Sequence, residues 1–174
     1  SDASVKAAAD RIQAPFTRAG GENAYSLHQE LQEVTHNLVG IIRTGSELKD
    51  AIGKIAEIRK RSQNVSVAGD RKFNPGFHLA FDLDNMLLVA ESTAKSAIAR
   101  EESRGGHTRD DFPGMSDKWR QVNHISSYNG SEVVVREQKG EPMPLDRLAH
   151  GFAFRQGKAE GLVAGHGESR RQGG

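Results

Sequence analysis

The chain has 174 residues, enough for one domain with a real core, and balances 24 basic against 23 acidic residues for a formal charge of +1. That balance gives no reason to expect nucleic acid or an anionic membrane as a partner. The absence of cysteine excludes a disulfide framework, thiolate zinc sites and iron–sulfur ligation by these residues.

No apolar run approaches the roughly 18 residues of a membrane span, and no charged segment followed by an apolar one reads as a signal peptide. Direct membrane insertion is therefore not expected. The chain opens on Ser1 without a methionine, which suggests a piece of a longer protein.

Residues 1–22 form a leading segment poor in apolar positions, with Val5, Ala8 and Ile12. The stretch APFTRAGGEN reads as a loop because Pro15, Gly20 and Gly21 each interrupt regular structure. Helices are expected after it. In the first, Leu27, Leu31, Val34, Leu38 and Ile41 recur at 4-3-4-3 spacing and share one face, with Asn23 as N-cap and Gly40 weakening the end.

The second follows a Thr44-x-x-Glu47 capping box, carries the stripe Leu48, Ala51, Ile55, Ile58, and should stop near Ser62. The third starts with Asn74 as N-cap and Pro75 at the first helical position, where the missing amide hydrogen does no harm. Its stripe is Leu79, Leu83, Met86, Ala90, Ala94, Ala97. It should run close to seven turns, about 40 Å at 1.5 Å per residue.

Three amphipathic helices with short links predict a mainly α fold: an antiparallel three-helix bundle, spectrin-repeat-like, over 23–113. Beyond Pro113 the period changes. KWRQVNHISSY and SEVVVREQ flank Asn129-Gly130, the dipeptide most favoured in two-residue turns, so a β-hairpin extension is expected over 114–140. A weak helical piece around Leu145 to Phe152 and a Gly-rich end come next, and 141–174 reads as an irregular or disordered tail.

The densest chemistry lies in AREESRGGHTRDDFP, positions 99 to 113. A glycine-terminated helix with a cation near its negative end would explain Gly105 and Arg100. It leaves Arg104, His107, Arg109 and Asp111 unexplained. These four read as directional groups for docking onto another surface, because arginine forks suit carboxylate, phosphate or carbonyl groups.

Other chemistries fit less well. His107, Asp110 and Asp111 lie close together, but no His-x-x-x-His pair exists, and His28 and His36 are eight apart without a carboxylate bracket. Solvated or partly buried histidines, His78 included, are the better reading, and no metal site is expected. Ser103 sits in no Gly-x-Ser-x-Gly turn, which argues against a hydrolase, so no catalytic residue is assigned. Trp119, Arg120 and Tyr128 lack a basic stripe and are expected to pack the hairpin onto the helices.

Ala99, Arg100, Glu102, Ser103, Arg104, Gly105, His107, Arg109, Asp111 and Pro113 together match a known pattern. With the helix that begins at Asn74, they resemble the C-terminal helical domain of the succinate dehydrogenase and fumarate reductase flavoprotein subunit. The resemblance covers about 22 to 140 and is strongest from Phe73 to Pro113. L-aspartate oxidases share the helical domain and the stop, whereas the hairpin favours the succinate and fumarate group. An independent helical interaction module is the remaining alternative.

The resemblance implies a parent enzyme that interconverts succinate and fumarate with FAD. The flavin-binding glycines and the substrate-binding residues lie upstream and have no counterpart here. This chain alone is therefore expected to hold no cofactor and to be inactive. The implied partners are its own flavin-binding domain, onto which Arg104, His107, Arg109 and Asp111 would dock, and an iron–sulfur subunit. The implied place is cytoplasmic, at the inner face of a membrane through partner subunits, and a dimer of the isolated chain is conceivable through the uncovered face.

Overall fold

The first helix is one that periodicity does not announce. In the computed structural model, which describes residues 1–140, α1 spans Asp2–Thr17 and buries none of its residues. The expected loop therefore begins later, at Arg18. Two factors explain the difference: Ala7, Ala8 and Ala9 are the strongest helix formers, and Pro15 lies so near the end that few backbone hydrogen bonds come after it. Phe16 stacks against Phe77 with ring centroids 5.0 Å apart, and the Pro15 carbonyl accepts from the Val67 amide at 2.9 Å.

Helix α2 spans Ala24–Leu38, with the Asn23 side chain accepting from the Tyr25 amide. Leu27, Leu31 and Val34 are buried as the spacing predicts, and Leu38 is partly buried. Ile41 departs from the expected stripe: it lies beyond the helix and is exposed. The chain instead turns at Val39 and enters a two-residue strand, β1, Ile42–Arg43.

Helix α3, Gly45–Ser62, carries the full reciprocal capping box between Thr44 and Glu47. Leu48, Ala51, Ile55 and Ile58 are buried without exception. Helix α4, Pro75–Ala99, starts on the Asn74 cap with Pro75 in the first turn. Its buried face is Leu83, Leu87, Glu91, Ala94 and Ala97. Leu79, Met86 and Ala90 flank it half-buried, so Leu87 and Glu91 belong to the core line that the apolar count alone places one position earlier.

Helix α3 packs on both α2 and α4, and α2 packs on α4. At the end of α3, Arg61 grips Glu22 with Nε and Nη2, both at 2.7 Å, and reaches Glu30 with Nη1 at 2.7 Å. Glu22 also bridges to Val65 in parallel register. Gly21 is needed there, since a Cβ would stand 2.2 Å from the Asn64 carbonyl oxygen.

After α4 come β2, Thr108–Arg109, paired in parallel with β1, and the single helical turn α5, Asp117–Arg120. Strands β3, Val122–Tyr128, and β4, Val133–Lys139, then form an antiparallel hairpin. Two details differ from expectation. Lys118, Trp119 and Arg120 belong to α5 and not to a strand, and the loop is four residues, Asn129 to Glu132. The Asn129 carboxamide oxygen there accepts from the Ser131 and Glu132 amides, closing a wider loop than a two-residue turn.

The hairpin sits on α4 through a buried carboxylate. Glu91 pairs with Arg59 and, at 2.8 Å, with Lys95, and it accepts the Val133 amide at 3.2 Å. Lys95 in turn donates to the Val133 carbonyl at 2.8 Å. Burial alone would raise the Glu91 carboxyl, but Lys95 and Arg59 reverse the sign and hold it below its ordinary value. The expected helical piece Leu145–Phe152 and the tail 141–174 lie outside the described residues.

Replacing Glu91 by alanine deprives two partly buried cations and one amide of their acceptor, which predicts a loss of about 2 kcal/mol. Hydrogen exchange at the Val133 amide should rise more than exchange at Ile55. Equal changes at both positions would show that Glu91 does not hold the hairpin.

Candidate functional site

Helix α4 ends at Ala99, and Arg100 is already extended, with φ −94° and ψ 100°. The glycine cap expected at Gly105 is not what stops it. The stop is a side chain: Arg109 Nη1 donates to the carbonyls of Ala97 at 3.0 Å, Ile98 at 3.1 Å and Arg100 at 3.4 Å. These are among the last carbonyls of a helix, which have no partner within it. A guanidinium also places positive charge at the negative end of the helix dipole.

Arg109 is only 2% exposed, and a buried cation needs a counter-charge. Asp111 supplies it in bidentate form, Oδ1 to Nε and Oδ2 to Nη2, each at 2.8 Å. The same Oδ2 accepts from the Gly45 amide at 2.9 Å. One carboxylate thus neutralises the cation at the end of α4 and satisfies the first amide of α3. Arg109 first, and then the Gly45 amide, hold the Asp111 carboxyl well below the ordinary range.

Gly105 instead makes a tight reversal. Arg104 and His107 exchange backbone hydrogen bonds at 2.8 and 3.1 Å around Gly105-Gly106, and Gly105 has φ +60°. A positive φ at the first central position is what a type II′ turn requires. This brings His107 back onto the end of α4, where Nε2 lies 3.0 Å from the Arg100 carbonyl and Nδ1 lies 2.8 Å from Arg43 Nη2. A carbonyl only accepts and a guanidinium only donates. The ring is therefore the neutral Nε2–H tautomer.

Arg43 also donates to the Val39 carbonyl at the end of α2, at 2.9 Å. Burial is the first cause holding His107 below its ordinary value, and Arg43, Arg109 and Arg100 add to it against the opposing pull of the Arg100 carbonyl.

Arg104 donates Nε to Glu102 at 3.1 Å and Nη2 to the Ser116 carbonyl at 3.2 Å. Arg100 is not the dipole cation expected from the sequence but a clamp. Its Nε meets Glu102 at 2.8 Å and its Nη2 meets the Trp119 carbonyl at 2.6 Å. Ser103 lies beyond the helix end and is stitched to Arg109 and Phe112.

The four residues singled out from sequence are thus brought together with Arg43, Arg100, Glu102 and Ser103. Arg109 is buried within the chain, with its guanidinium directed at Asp111 and the α4 carbonyls. Two members were missed. Glu102 is fully buried between Arg100 and Arg104 and accepts the Ser116 amide at 2.9 Å, and the signal for it was an acidic residue with arginines two positions to either side. Arg43, 64 residues from His107, had no local signal.

His28 is partly buried on α2, and His36 and His78 are exposed. Among the described residues no group of three histidine, aspartate or glutamate side chains is placed to hold a metal ion, and no helix is long and apolar enough to cross a membrane.

This mainly helical fold with its hairpin has known counterparts, and they define its class. The chain belongs to the fumarate reductase flavoprotein C-terminal family, whose profile matches residues 28–148.

It is 32% identical over 141 residues to the succinate dehydrogenase flavoprotein subunit of Bacillus subtilis, covering 78% of this chain and 24% of that protein. It is 32% identical over 120 residues to a fumarate reductase flavoprotein subunit of Helicobacter pylori, covering 68% of this chain and 17% of that one. Among solved structures, the Mycobacterium smegmatis Sdh1 complex in the apo form superposes with a TM-score of 0.79 at 45% identity, over 83% of this chain and 25% of that one. The chain therefore spans a quarter or less of the length of these relatives.

Two outcomes are expected of the cluster in the isolated chain. Arg109→Gln leaves the last α4 carbonyls and Asp111 without their cation and should lower unfolding free energy by about 3 kcal/mol in urea titrations. An unchanged midpoint would remove Arg109 from the role of cap.

Acid should also destabilise the chain through Glu102, whose carboxyl is buried yet lowered to about 2 by Arg104, the Ser116 amide and Arg100. A carboxyl lowered on folding stabilises fully above its unfolded value of 4.5 and loses that contribution as pH falls toward about 2. The decline across this window should be flatter in Glu102→Gln.

Proposed function

We propose that the chain is the C-terminal structural and docking domain of an FAD-dependent succinate dehydrogenase or fumarate reductase flavoprotein subunit, whose whole interconverts succinate and fumarate. The observation that carries this reading is the family match over 28–148. The 45% identity and TM-score of 0.79 to the Mycobacterium smegmatis complex support it.

Within the domain, α2, α3 and α4 form an antiparallel three-helix bundle. The Arg61 grip on Glu22 and Glu30 and the Arg59–Glu91 pair support that arrangement, because each joins the late part of α3 to a different neighbour.

The apolar groove between α2 and α4 does not fit FAD. It measures about 630 Å³, its walls include Leu31, Val39, Met86 and Val89, and His28 and Asp82 are its ionisable groups. A pyrophosphate finds no lysine or arginine there. The flavin and the substrate are bound by the remainder of the parent, and this chain alone is inactive. The chain's role is support. Arg104 and Asp111, both partly accessible, present the outer edge of the ionic cluster to the flavin-binding domain, while His107 and Arg109 hold that edge in shape.

The iron–sulfur subunit is a further partner of the parent, which lies on the cytoplasmic side of a membrane through its partner subunits.

The test uses the complete parent enzyme. Arg104→Ala should reduce flavin content and succinate–fumarate turnover together, and unchanged assembly, flavin and turnover would refute the docking role. The isolated 174-residue chain should show no flavin absorbance after incubation with FAD and passage through a desalting column.

A further inference from the structure

His107 occupies a position where only a neutral ring fits. Its Nδ1 accepts from Arg43 Nη2 at 2.8 Å and its Nε2–H donates to the Arg100 carbonyl at 3.0 Å, so one imidazole joins β1 to the end of α4. The charged groups around it are arranged with one sign outstanding. Arg43 stands on β1, Arg100 directly succeeds α4, and Arg109 stands on β2.

The nearby carboxylates are already committed. Glu102 is held by Arg100 and Arg104, Asp111 by Arg109 and the Gly45 amide, and Glu47 by the Thr44 amide. Glu101 and Asp110 are exposed, and among the described contacts neither reaches the ring. Arg43 has little in reserve, because among the described residues its Nε is buried without a partner and its other acceptor is the Val39 carbonyl.

We infer that His107 is a proton-sensitive latch: protonation at Nδ1 releases the Arg104–Thr108 turn from β1 while Arg109 and the helices stay in place. The step breaks no covalent bond and needs no ligand. The proton turns the acceptor of Arg43 Nη2 into a donor, so two N–H groups face each other at a hydrogen-bonding distance, and it adds a fourth positive charge to three arginines.

The imidazolium then leaves for solvent. Between the turn and the chain at β1 there remains the Thr108 amide to the Ile41 carbonyl at 3.1 Å, whereas the Asp110 amide stays on the Arg43 carbonyl because Arg109 is fixed by Asp111 and the α4 carbonyls. One such bond contributes only about 0.5–1.5 kcal/mol and holds little alone. The segment that opens carries Arg104, so acid would disorganise the face assigned to docking. The latch is a property of this chain by itself, and its test does not depend on the docking reading.

Burial and the three arginines favour the neutral ring, which fixes the sign. The latch is fully closed above the ordinary histidine value of 6.5 and opens as pH falls through the lower folded value.

In the 174-residue chain, the His107 ring resonances should titrate below 6.5. Amide exchange at Thr108, corrected for intrinsic pH dependence, should accelerate by up to about tenfold per pH unit as pH falls from 6.5 toward that midpoint and level off below it. The Ile55 and Ile58 amides should keep their protection over the same range. In His107→Gln the acceleration should vanish, and in Arg43→Gln the His107 midpoint should move up toward 6.5.

The latch is overturned by a midpoint at or above 6.5, by an acceleration that persists in His107→Gln, or by a midpoint that Arg43→Gln leaves in place. It is overturned equally if Ile55 and Ile58 lose protection together with Thr108, which would make the event global unfolding.

Discussion

A helix must do something with its last carbonyls, and in this domain the ends of two helices and the start of a third meet at one place. The carbonyls of Ala97, Ile98 and Arg100 at the end of α4 and of Val39 at the end of α2 need donors. The first amide of α3, at Gly45, needs an acceptor. Arg109 and Arg43 supply the donors, and Asp111 supplies the acceptor. A hydrogen bond to a charged group contributes about 1.5–3 kcal/mol net. The Arg109–Asp111 pair makes several of them at once, and both its charges run with the helix dipoles. This pair fixes β2 against the ends of the helices, while Glu102 with Arg100 and Arg104 fixes the start of α5.

The approach of these elements depends on a glycine. A Cβ at Gly45 would lie 3.0 Å from both Arg109 Nη2 and Asp111 Oδ2, tight enough that the ion pair would have to shift. The parallel pairing of Ile42 with Thr108 and Arg43 with Arg109 is as short as a strand pair can be. It owes its place less to its own two hydrogen bonds than to the side chains that bracket it. At the far side, Glu91 does for the hairpin what Asp111 does for α3: one buried carboxylate collects two cations and a backbone amide from a different element. Two acidic residues therefore set where the irregular parts of the chain attach to the regular ones.

The apolar stripes of α2 and α3 were legible because each is local: Leu27, Leu31, Val34 and Leu48, Ala51, Ile55, Ile58 need only the helical period and a cap. Asn23, Thr44, Glu47 and Asn74 carried the starts for the same reason. The ends were not legible. Ile41 continued the period of α2 but left the core, because the chain turns at Val39. The end of α4 is set by Arg109, ten residues beyond the helix. Glu91 read as a polar interruption on α4, since nothing nearby in sequence announces that Arg59 and Val133 will surround it. The ionic cluster was visible as unexplained charge. Its direction was not, because whether an arginine points outward or back onto its own helix is decided by tertiary contacts.

That direction distinguishes a structural motif from a catalytic one. A guanidinium has five N–H groups, and one that binds a substrate must keep some of them free and aimed at a cleft. Arg109 keeps none in that position: Nε and Nη2 face Asp111, and Nη1 faces three carbonyls of its own chain. His107 likewise has both ring nitrogens engaged, so it has no lone pair for a proton in transit without letting go of Arg43. Arginine, histidine and aspartate at this density read as chemistry only while their partners are unknown. Once the partners are backbone carbonyls and amides at helix ends, the same residues are the means by which an irregular segment is held as rigidly as a helix. A lysine at 109 would fail there although its charge is right, because a single ammonium cannot span Asp111 and the end of α4 together.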